Sequence, residues 1–283
     1  MSTSEDENED IDAPILREAD GARSGLNPMF GDWQHRFDFA PVPYGDGGRS
    51  KREFEARIRA ELTHIKWMYS SEVQLDIVLH LDVQTILETS ETADLDNYAK
   101  SILDGLKGPQ GIMFDDTQVQ GLCISWLDTY DTPHFLVRAK GLADDFLLKP
   151  VAFYEMPDGL WYPQSRLLWS DGEAEPAGDL NHFVGLAISE LNSAATKRVR
   201  HELRRRGRSR LDAYRASKYV ATSLRGYHRS RIDGGFPLHS RQTWQRARQE
   251  WQSESPHESA KVEEIRAGIR QVYDDMALAL TPQ

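Results

Sequence analysis

Cysteine is nearly missing from this sequence, since Cys123 is the single one among 283 residues. One thiol excludes an intramolecular disulfide framework and any zinc site built from several cysteines, as is usual in a reducing cytoplasm. No apolar run approaches the roughly eighteen residues of a membrane span, and acidic residues rather than a signal sequence follow Met1. These absences predict a cytoplasmic protein without membrane contact. The place of Cys123 within a predicted strand predicts a buried, unreactive thiol.

Acidic residues are in excess, but they are unevenly distributed along the chain. The net charge is −11, and residues 1–33 contain nine acidic and two basic side chains. Residues 197–231 instead contain thirteen lysines and arginines and only two acids. A basic stretch in an acidic chain indicates a nucleic-acid contact. The alternative for the stretch alone is a solvated helix that pairs with acidic residues elsewhere in the chain.

Composition and periodicity divide the chain into four segments. Residues 1–33 are acidic, lack an apolar period and are predicted to be disordered. Residues 34–150 mix strand and helix patterns and predict an α+β domain. Residues 151–178 predict an irregular connecting segment, with short strands or loops over 141–177. Residues 179–283 predict a basic, mostly helical extension.

Apolar spacing predicts the individual elements. A strand begins near Arg36, a helix covers about 50–68, and a second strand runs from Glu72 to Val83. A polar loop over 88–93 precedes a helix at about 95–107, and two strands follow at about 117–127 and 134–140. The extension is helical from Asp179, with breaks at Gly207 and at Gly234-Gly235. Its last helix begins with Ser255 as cap and Pro256 at the first helical position.

The most specific pattern is the acidic start of the helix at 95–107. Asp94 and Asp96 precede Lys100, and Asp115-Asp116 begin the next strand. On that helix Tyr98, Ile102 and Leu106 share a face that we expect to be buried, whereas Asp96, Lys100 and Asp104 share the opposite face. An Asp-x-Asp-Asn-x-x-Lys pattern arises by chance in about two of a thousand chains of this length. Converging carboxylates repel one another unless a hard cation such as Mg²⁺ neutralises them.

The segment ADLDNYAKSILDGL, followed by FDDTQVQGLCISW, resembles the RusA family of Holliday junction resolvases. The resemblance implies a mixed β-sheet flanked by helices and a homodimeric, Mg²⁺-dependent endodeoxyribonuclease that nicks four-way DNA junctions in recombination and repair, with Mn²⁺ as a possible substitute. It also implies roles for individual residues. Asp94, Asp96 and Asp116 match the metal-binding acids, Lys100 matches the active-site lysine, and Asp115 matches a neighbouring acid.

Two departures from the family pattern concern DNA binding. The first strand is followed by Ala40-Pro41-Val42-Pro43-Tyr44 rather than by a turn ending in Ser-x-Asn, and Glu88 and Glu91 stand where arginines are usual. The substrate then approaches differently, bases elsewhere compensate, or junction specificity is lost. The candidate compensating residues for contact with branched DNA are Lys197, Arg198, Arg200, Arg204, Arg205, Arg206, Arg208 and Arg210, with Tyr214, Tyr219 and Tyr227 downstream.

Two alternatives to a junction resolvase stay open. One is a metal-dependent nuclease that acts on flaps, forks, single strands or RNA. The other is a non-catalytic nucleic-acid-binding protein that retains the fold.

Overall fold

The computed structural model of the chain describes residues 31–45, 48–89, 94–142, 145–170, 173–218 and 225–280. The helices are α1 (Gly48–Glu61), α2 (Val83–Glu88), α3 (Leu95–Leu106), α4 (Gly178–Arg205), α5 (Arg210–Ser217), α6 (Arg241–Glu254) and α7 (Pro256–Leu280). The strands are β1 (Asp32–Phe37), β2 (Trp67–Tyr69), β3 (Val73–Asp82), β4 (Val119–Thr129), β5 (His134–Lys140), β6 (Phe146–Leu148), β7 (Val151–Glu155), β8 (Trp161–Ser165), β9 (Leu167–Ser170), β10 (Glu173–Pro176) and β11 (Leu238–His239). The mixed α/β architecture with a mostly helical C-terminal region confirms the predicted fold class.

These residues form two compact units that alternate along the chain. The first comprises the described residues of Met1–Ile65, Val73–Gly105 and Val119–Ala143. The second comprises those of Lys66–Glu72, Leu106–Gln118 and Asp144–Gln283. The segments 66–72 and 106–118 therefore fall in the second unit, although they lie inside the predicted nuclease segment 34–150. The physical reason is β-pairing at long range, since β2 pairs with β6.

The first unit contains a four-stranded sheet in the order β1-β5-β3-β4. β3 and β4 are parallel, and the other pairs are antiparallel. Phe54 of α1 packs against Phe39 and Phe135, and Phe37 stacks on Phe135 at 4.6 Å between ring centres. Alternation along β3 buries every second residue, as the sequence predicts for a strand with one covered face.

β4 is an edge strand of the described sheet, because β3 is its only neighbour among the residues that the structure describes. Leu122, Trp126 and Leu127 are partly exposed, and Cys123 is exposed. The prediction of a buried thiol is therefore wrong. Apolar alternation identified the strand but carried no information about its position at the edge of the sheet.

In the second unit, β11, β7 and β8 form a sheet in which β11 is parallel to β7. Phe114, Phe153 and Phe236 pack edge-to-face with ring centres 5.2–5.8 Å apart. α4 packs along α7, and Trp244 and Trp251 of α6 join the same core as Phe183 of α4. Among the described residues, no helix has the length and apolar character needed to cross a membrane.

Several predicted boundaries need correction. β1 begins at Asp32 and buries Trp33, so the predicted tail boundary at residue 33 is wrong, while residues 1–30 of the tail lie outside the described part of the chain. The helix predicted to reach residue 68 ends at Glu61, and a 3₁₀ turn at Leu62–His64 leads to β2 at Trp67. Trp67, Met68 and Tyr69 of β2 are all buried and show no alternation. α2 begins at Val83, the last residue of the predicted strand, and ends at Glu88, the first residue of the predicted loop. Residues 90–93 of that loop lie outside the described residues.

Candidate active site

The helix α3 separates a buried face from a charged one, as predicted. Tyr98, Ile102 and Leu106 are buried, and Ile102 and Leu106 have no exposed surface. Asp96 and Lys100 are exposed on the other face, where Asp104 is partly exposed. Burial of the apolar face fixes the rotation of the helix, so the acidic first turn and Lys100 point to solvent.

The carboxylates of Asp94 and Asp96 are available to a ligand. Both residues are exposed, and neither side chain forms a hydrogen bond or ion pair with any other residue in the described ranges. The backbone N–H of Asn97 donates to the Asp94 carbonyl at 3.0 Å, which closes the first turn around them. Two free carboxylates two positions apart at one helix start repel each other, and a nearby cation lowers that repulsion.

The loop after β1 reaches the same turn. The backbone N–H of Tyr44 donates to the carbonyl of Asn97 at 3.1 Å. The Nζ atom of Lys100 lies 3.5 Å from the centre of the Tyr44 ring, and the Nζ atom of Lys51 lies 4.1 Å from it. The Tyr44 ring is thus held at the start of α3 and contacts both ammonium groups.

The two lysines around Tyr44 differ in their electrostatic partners. Lys51 Nζ donates to Asp104 Oδ2 at 2.7 Å and lies 3.2 Å from Glu55 Oε1. Although partial burial opposes the charge of Lys51, the hydrogen bonds to Asp104 and Glu55 raise its pKa. Lys100 has no carboxylate partner among the residues that the structure describes. Lys100 therefore keeps a positive charge without an ion-pair partner, one helical turn after Asp96.

Asp115 and Asp116 belong to the second unit and have different environments. Asp115 Oδ1 accepts from the Thr117 backbone N–H at 3.0 Å and from its hydroxyl at 2.5 Å, which forms a local turn. Asp116 begins the 3₁₀ turn Asp116–Gln118 and is exposed, with Lys107 Nζ 4.0 Å from its Oδ2 atom. Asp116 is therefore the more available of the two carboxylates.

Gln118 fixes the turn that presents Asp116. Its buried side-chain amide donates to the carbonyls of Tyr69 and Ser71 at 2.9 and 2.8 Å. Its carbonyl oxygen accepts from the backbone N–H groups of Phe114 and Asp115 at 2.6 and 3.2 Å. A buried amide with both its donor and its acceptor atoms satisfied fixes the path of the chain on either side of it.

The arrangement of the acids bears on how a metal would be held. In the described ranges, no group of three or more His, Cys, Asp or Glu side chains forms a ready metal site. Because β3 and β4 are parallel, the chain between them must cross back along the strands. Asp94 and Asp96 stand at the start of α3 in this connection, and Asp116 stands at its end. The free oxygens of Asp94 and Asp96 fit Mg²⁺ chemically, since Mg²⁺ is usually held by one or two carboxylates plus substrate phosphate.

Most of the predicted nucleic-acid-binding residues lie on α4 and already have partners. Arg198 donates to Asp274 at 2.6 Å, Lys197 to the Pro157 carbonyl at 2.8 Å, and Arg200 to the Ser217 hydroxyl at 2.8 Å. Arg204 donates to the carbonyl of Arg208, whereas Arg205 and Arg206 both bind Glu202. These hydrogen bonds lower the pKa of Glu202 to about 2. Arg208 and Arg210 are exposed, and their guanidinium groups are unpaired among the residues described.

The tyrosines downstream of the basic stripe differ in exposure. Tyr214 is partly exposed, with the Arg200 guanidinium 5.0 Å and the Lys218 ammonium 5.5 Å from its ring centre. Tyr227 is buried and donates to the Ser70 carbonyl, so a base-stacking role for it is excluded. Tyr219 lies outside the described residues.

Sequence reasoning missed Tyr44, Lys51 and Gln118. Tyr44 and Lys51 precede Lys100 by 56 and 49 positions, and no local pattern links them to it. Gln118 lies two positions after Asp116, and this closeness to the motif in sequence is the signal that could have identified it.

Comparison with known proteins agrees with the motif. No curated protein gives a significant match to the chain. Residues 48–138, which are less than half of the chain, match the family model described as Endodeoxyribonuclease RusA. The matched stretch contains α1, α3, β3 and β4 together with Asp94, Asp96, Lys100 and Asp116. The similarity to the RusA endodeoxyribonuclease family therefore covers residues 48–138, and a mostly helical C-terminal region lies outside it.

Proposed function

We propose that this protein is a Mg²⁺-dependent endodeoxyribonuclease that cleaves branched DNA, with the four-way junction as its substrate in recombination and repair. The observation that carries the proposal is the presence of two unpartnered carboxylates, Asp94 and Asp96, at the start of α3, with the Lys100 ammonium on the same face of the helix as Asp96. These groups lie inside the segment that matches the RusA family.

Asp94 and Asp96 would hold the metal ion, and Asp116 is the third acid that the family resemblance adds. When bound, Mg²⁺ or Mn²⁺ supplies Lewis-acid stabilisation of the charge that develops on the phosphate during in-line displacement. The carboxylates need no partner to be displaced before they bind a cation. Asp116 would be a better ligand than Asp115, because Thr117 engages the Oδ1 atom of Asp115.

Lys100 would contact the scissile phosphate. Its ammonium rests on an aromatic ring rather than on a carboxylate, so its whole charge is available to a phosphate oxygen. Tyr44 would orient Lys100. Lys51, which Asp104 and Glu55 hold in place, would contact the same Tyr44 ring and stabilise its position. Hydrolysis would leave a 5′-phosphate and a 3′-hydroxyl, as the family resemblance implies.

The arginines of α4 and α5 would bind the DNA backbone. Their ion pairs with Glu202 and Asp274 involve exposed arginines, and solvent and salt screen such pairs strongly. Backbone phosphates can therefore compete for these guanidinium groups and release counterions as they do so. A homodimer would bring two such sites to a junction for two symmetric nicks, and the cytoplasm is the proposed compartment.

The direct test is cleavage of a labelled synthetic four-way junction in the presence of Mg²⁺, Mn²⁺ or a chelator. We expect cleavage with either metal, none with the chelator, and a loss of at least a hundredfold in Asp96→Asn. Asp131→Asn, at an exposed position in the loop before β5, is the matched control. Wild-type activity in Asp96→Asn would overturn the assignment.

A competition experiment identifies the preferred substrate. Unlabelled duplex, flap, fork, single-stranded DNA and RNA are each added to the junction reaction. We expect the junction itself to compete best. Stronger inhibition by a flap or by RNA would identify that nucleic acid as the preferred substrate. The assignment of the metal-binding residues would be unaffected.

A further inference from the structure

The helical part of the second unit contains a cleft that is unrelated to the acidic turn of α3. The cleft has a volume of about 380 Å³, which is within the range of small-ligand sites. α4 contributes Glu190 and Arg198, α6 contributes Arg241, and α7 contributes Arg266, Arg270 and Asp274. Leu191 and Ala195 also line the cleft. A cleft lined by several arginines suits a ligand with an anionic group.

Glu190 organises the arginines at the base of this cleft. The residue is buried, and its Oε2 atom accepts from Arg266 at 2.8 Å and from Arg248 at 3.4 Å. Arg248 and Arg266 both also contact Glu263. Arg241 Nη2 lies 3.9 Å from Glu190 Oε1. Helices α4, α6 and α7 therefore hold the guanidinium groups in place before any ligand arrives.

Positive charge exceeds negative charge in this cluster. Five arginines (Arg198, Arg241, Arg248, Arg266 and Arg270) face three carboxylates (Glu190, Glu263 and Asp274), which leaves two positive charges. Arg270 is exposed and has no hydrogen bond or ion pair with the rest of the described chain. The Nε atom of Arg266 is buried and lacks an acceptor among the described atoms. A purely structural network would be expected to balance its charges and satisfy its buried donors.

We propose that this cleft binds a phosphate group through Arg241, Arg266 and Arg270. The planar guanidinium fork matches two phosphate oxygens at once, and a phosphate carries one or two negative charges, which the surplus of two arginines would neutralise. The phosphate comes either from a small nucleotide or from the backbone of a nucleic acid. The inference does not depend on the nuclease activity, because the cleft shares no residue with the acidic turn of α3.

The test measures binding by titration calorimetry on the full-length protein with three probes. The probes are inorganic phosphate, a nucleoside monophosphate and a short DNA duplex. The variant is the double substitution Arg241→Ala with Arg270→Ala, two arginines that lie at the cleft and outside its buried base. The matched control is the double substitution Arg246→Ala with Lys261→Ala, which removes the same charge from exposed positions that do not line the cleft.

We expect the cleft variant to lose at least tenfold in affinity for a phosphate probe and the control to stay within twofold of wild type. Binding of the nucleotide identifies a small ligand, and binding of DNA alone identifies the backbone. The proposal is overturned if wild type binds none of the probes, if the cleft variant binds as tightly as wild type, or if both variants weaken equally. Circular dichroism of each variant shows whether it is folded, and Arg270→Glu alone repeats the test if the double variant is not.

Discussion

The Lys100 ammonium nitrogen lies 3.5 Å from the centre of the Tyr44 ring, on the same exposed face of α3 as Asp96. The ring orients a cation without neutralising it, which a carboxylate in the same place would do. A cation–π contact contributes about 0.5–2 kcal/mol. Tyr44 therefore provides a way to position Lys100 while its charge stays available to a substrate.

The first prediction separates the ring of Tyr44 from its hydroxyl. In Tyr44→Leu, we expect kcat for junction cleavage to fall about tenfold with little change in KM, since the cation–π contact is lost. Tyr44→Phe keeps the ring and should retain most of the activity. Steady-state kinetics measure both, with Tyr130→Leu, an exposed tyrosine before β5, as the control. Equal kcat values for Tyr44→Leu and wild type would show that the ring does not position Lys100.

The second prediction concerns the close approach of α3 to α1. A Cβ atom at Gly105 would lie 2.6 Å from Cδ1 and 3.1 Å from Cβ of Ile58, which is fully buried. Gly105→Ala should lower the free energy of unfolding by about 1–3 kcal/mol, because neither helix can yield without disturbing the core. Gly268→Ala on α7 meets no atom within 4 Å and should raise that free energy by up to about 1 kcal/mol. Denaturant titration gives both values, and a stabilised Gly105→Ala would contradict the packing.

The third prediction concerns the buried imidazole of His182 on α4. Burial first, and then the positive charge of Arg166, lowers the pKa of His182 from 6.5 to about 4. The unfolded chain therefore binds a proton on this group at a higher pH than the folded chain does. The stabilisation is complete above pH 6.5 and is lost as the pH falls towards 4. The free energy of unfolding should drop by up to about 3 kcal/mol across that window through this group.

Substitution tests the assignment to His182. His182→Leu should flatten the dependence of unfolding free energy on pH between 6.5 and 4. His201→Leu, at an exposed position on the same helix, should keep the wild-type slope. An unchanged slope in His182→Leu would assign the pH dependence to other groups.

The fourth prediction concerns the buried carboxylate of Glu190. Glu190→Ala removes the buried carboxylate at the contact of α4, α6 and α7 and leaves Arg248 and Arg266 with Glu263 as their remaining shared partner. The free energy of unfolding should fall by about 3–5 kcal/mol, as is usual when one partner of a buried ion pair is removed. Glu53→Gln removes an exposed partner of Arg49 and should cost no more than about 1 kcal/mol. Thermal or chemical unfolding that gave equal losses for the two would contradict the structural role of Glu190.

Local patterns predicted the regular elements well where one face of the element is buried. The strand predicted from Glu72 to Val83 contains β3, and the helix predicted at 95–107 is α3, because their apolar residues repeat with the period of each structure. The predicted start of the last helix at Pro256 is also confirmed. β2 escaped detection because all three of its residues are buried, which leaves no alternation to read.

The candidate site was only partly predictable for a different reason. The motif located Asp94, Asp96, Lys100 and Asp116 from residue types at fixed spacing. It could not identify Tyr44, whose contact with Lys100 depends on the path of the loop after β1. Nor could it show that Asp115 is held by Thr117 while Asp116 is not, since both are identical in type and adjacent.

The alternation of the two units along the chain limits how this architecture arose and how it can be taken apart. Segments 66–72 and 106–118 fall within the stretch that matches the family, yet they are built into the second unit. Phe114, for example, packs on Phe153 and Phe236. The second unit consequently includes more than the C-terminal region. Neither a single gene fusion nor a truncation at one position would add or remove it whole. A chain truncated near residue 150 would lack Phe153 and Phe236 and would expose Phe114 to solvent. We expect such a chain to be degraded by quality-control proteases.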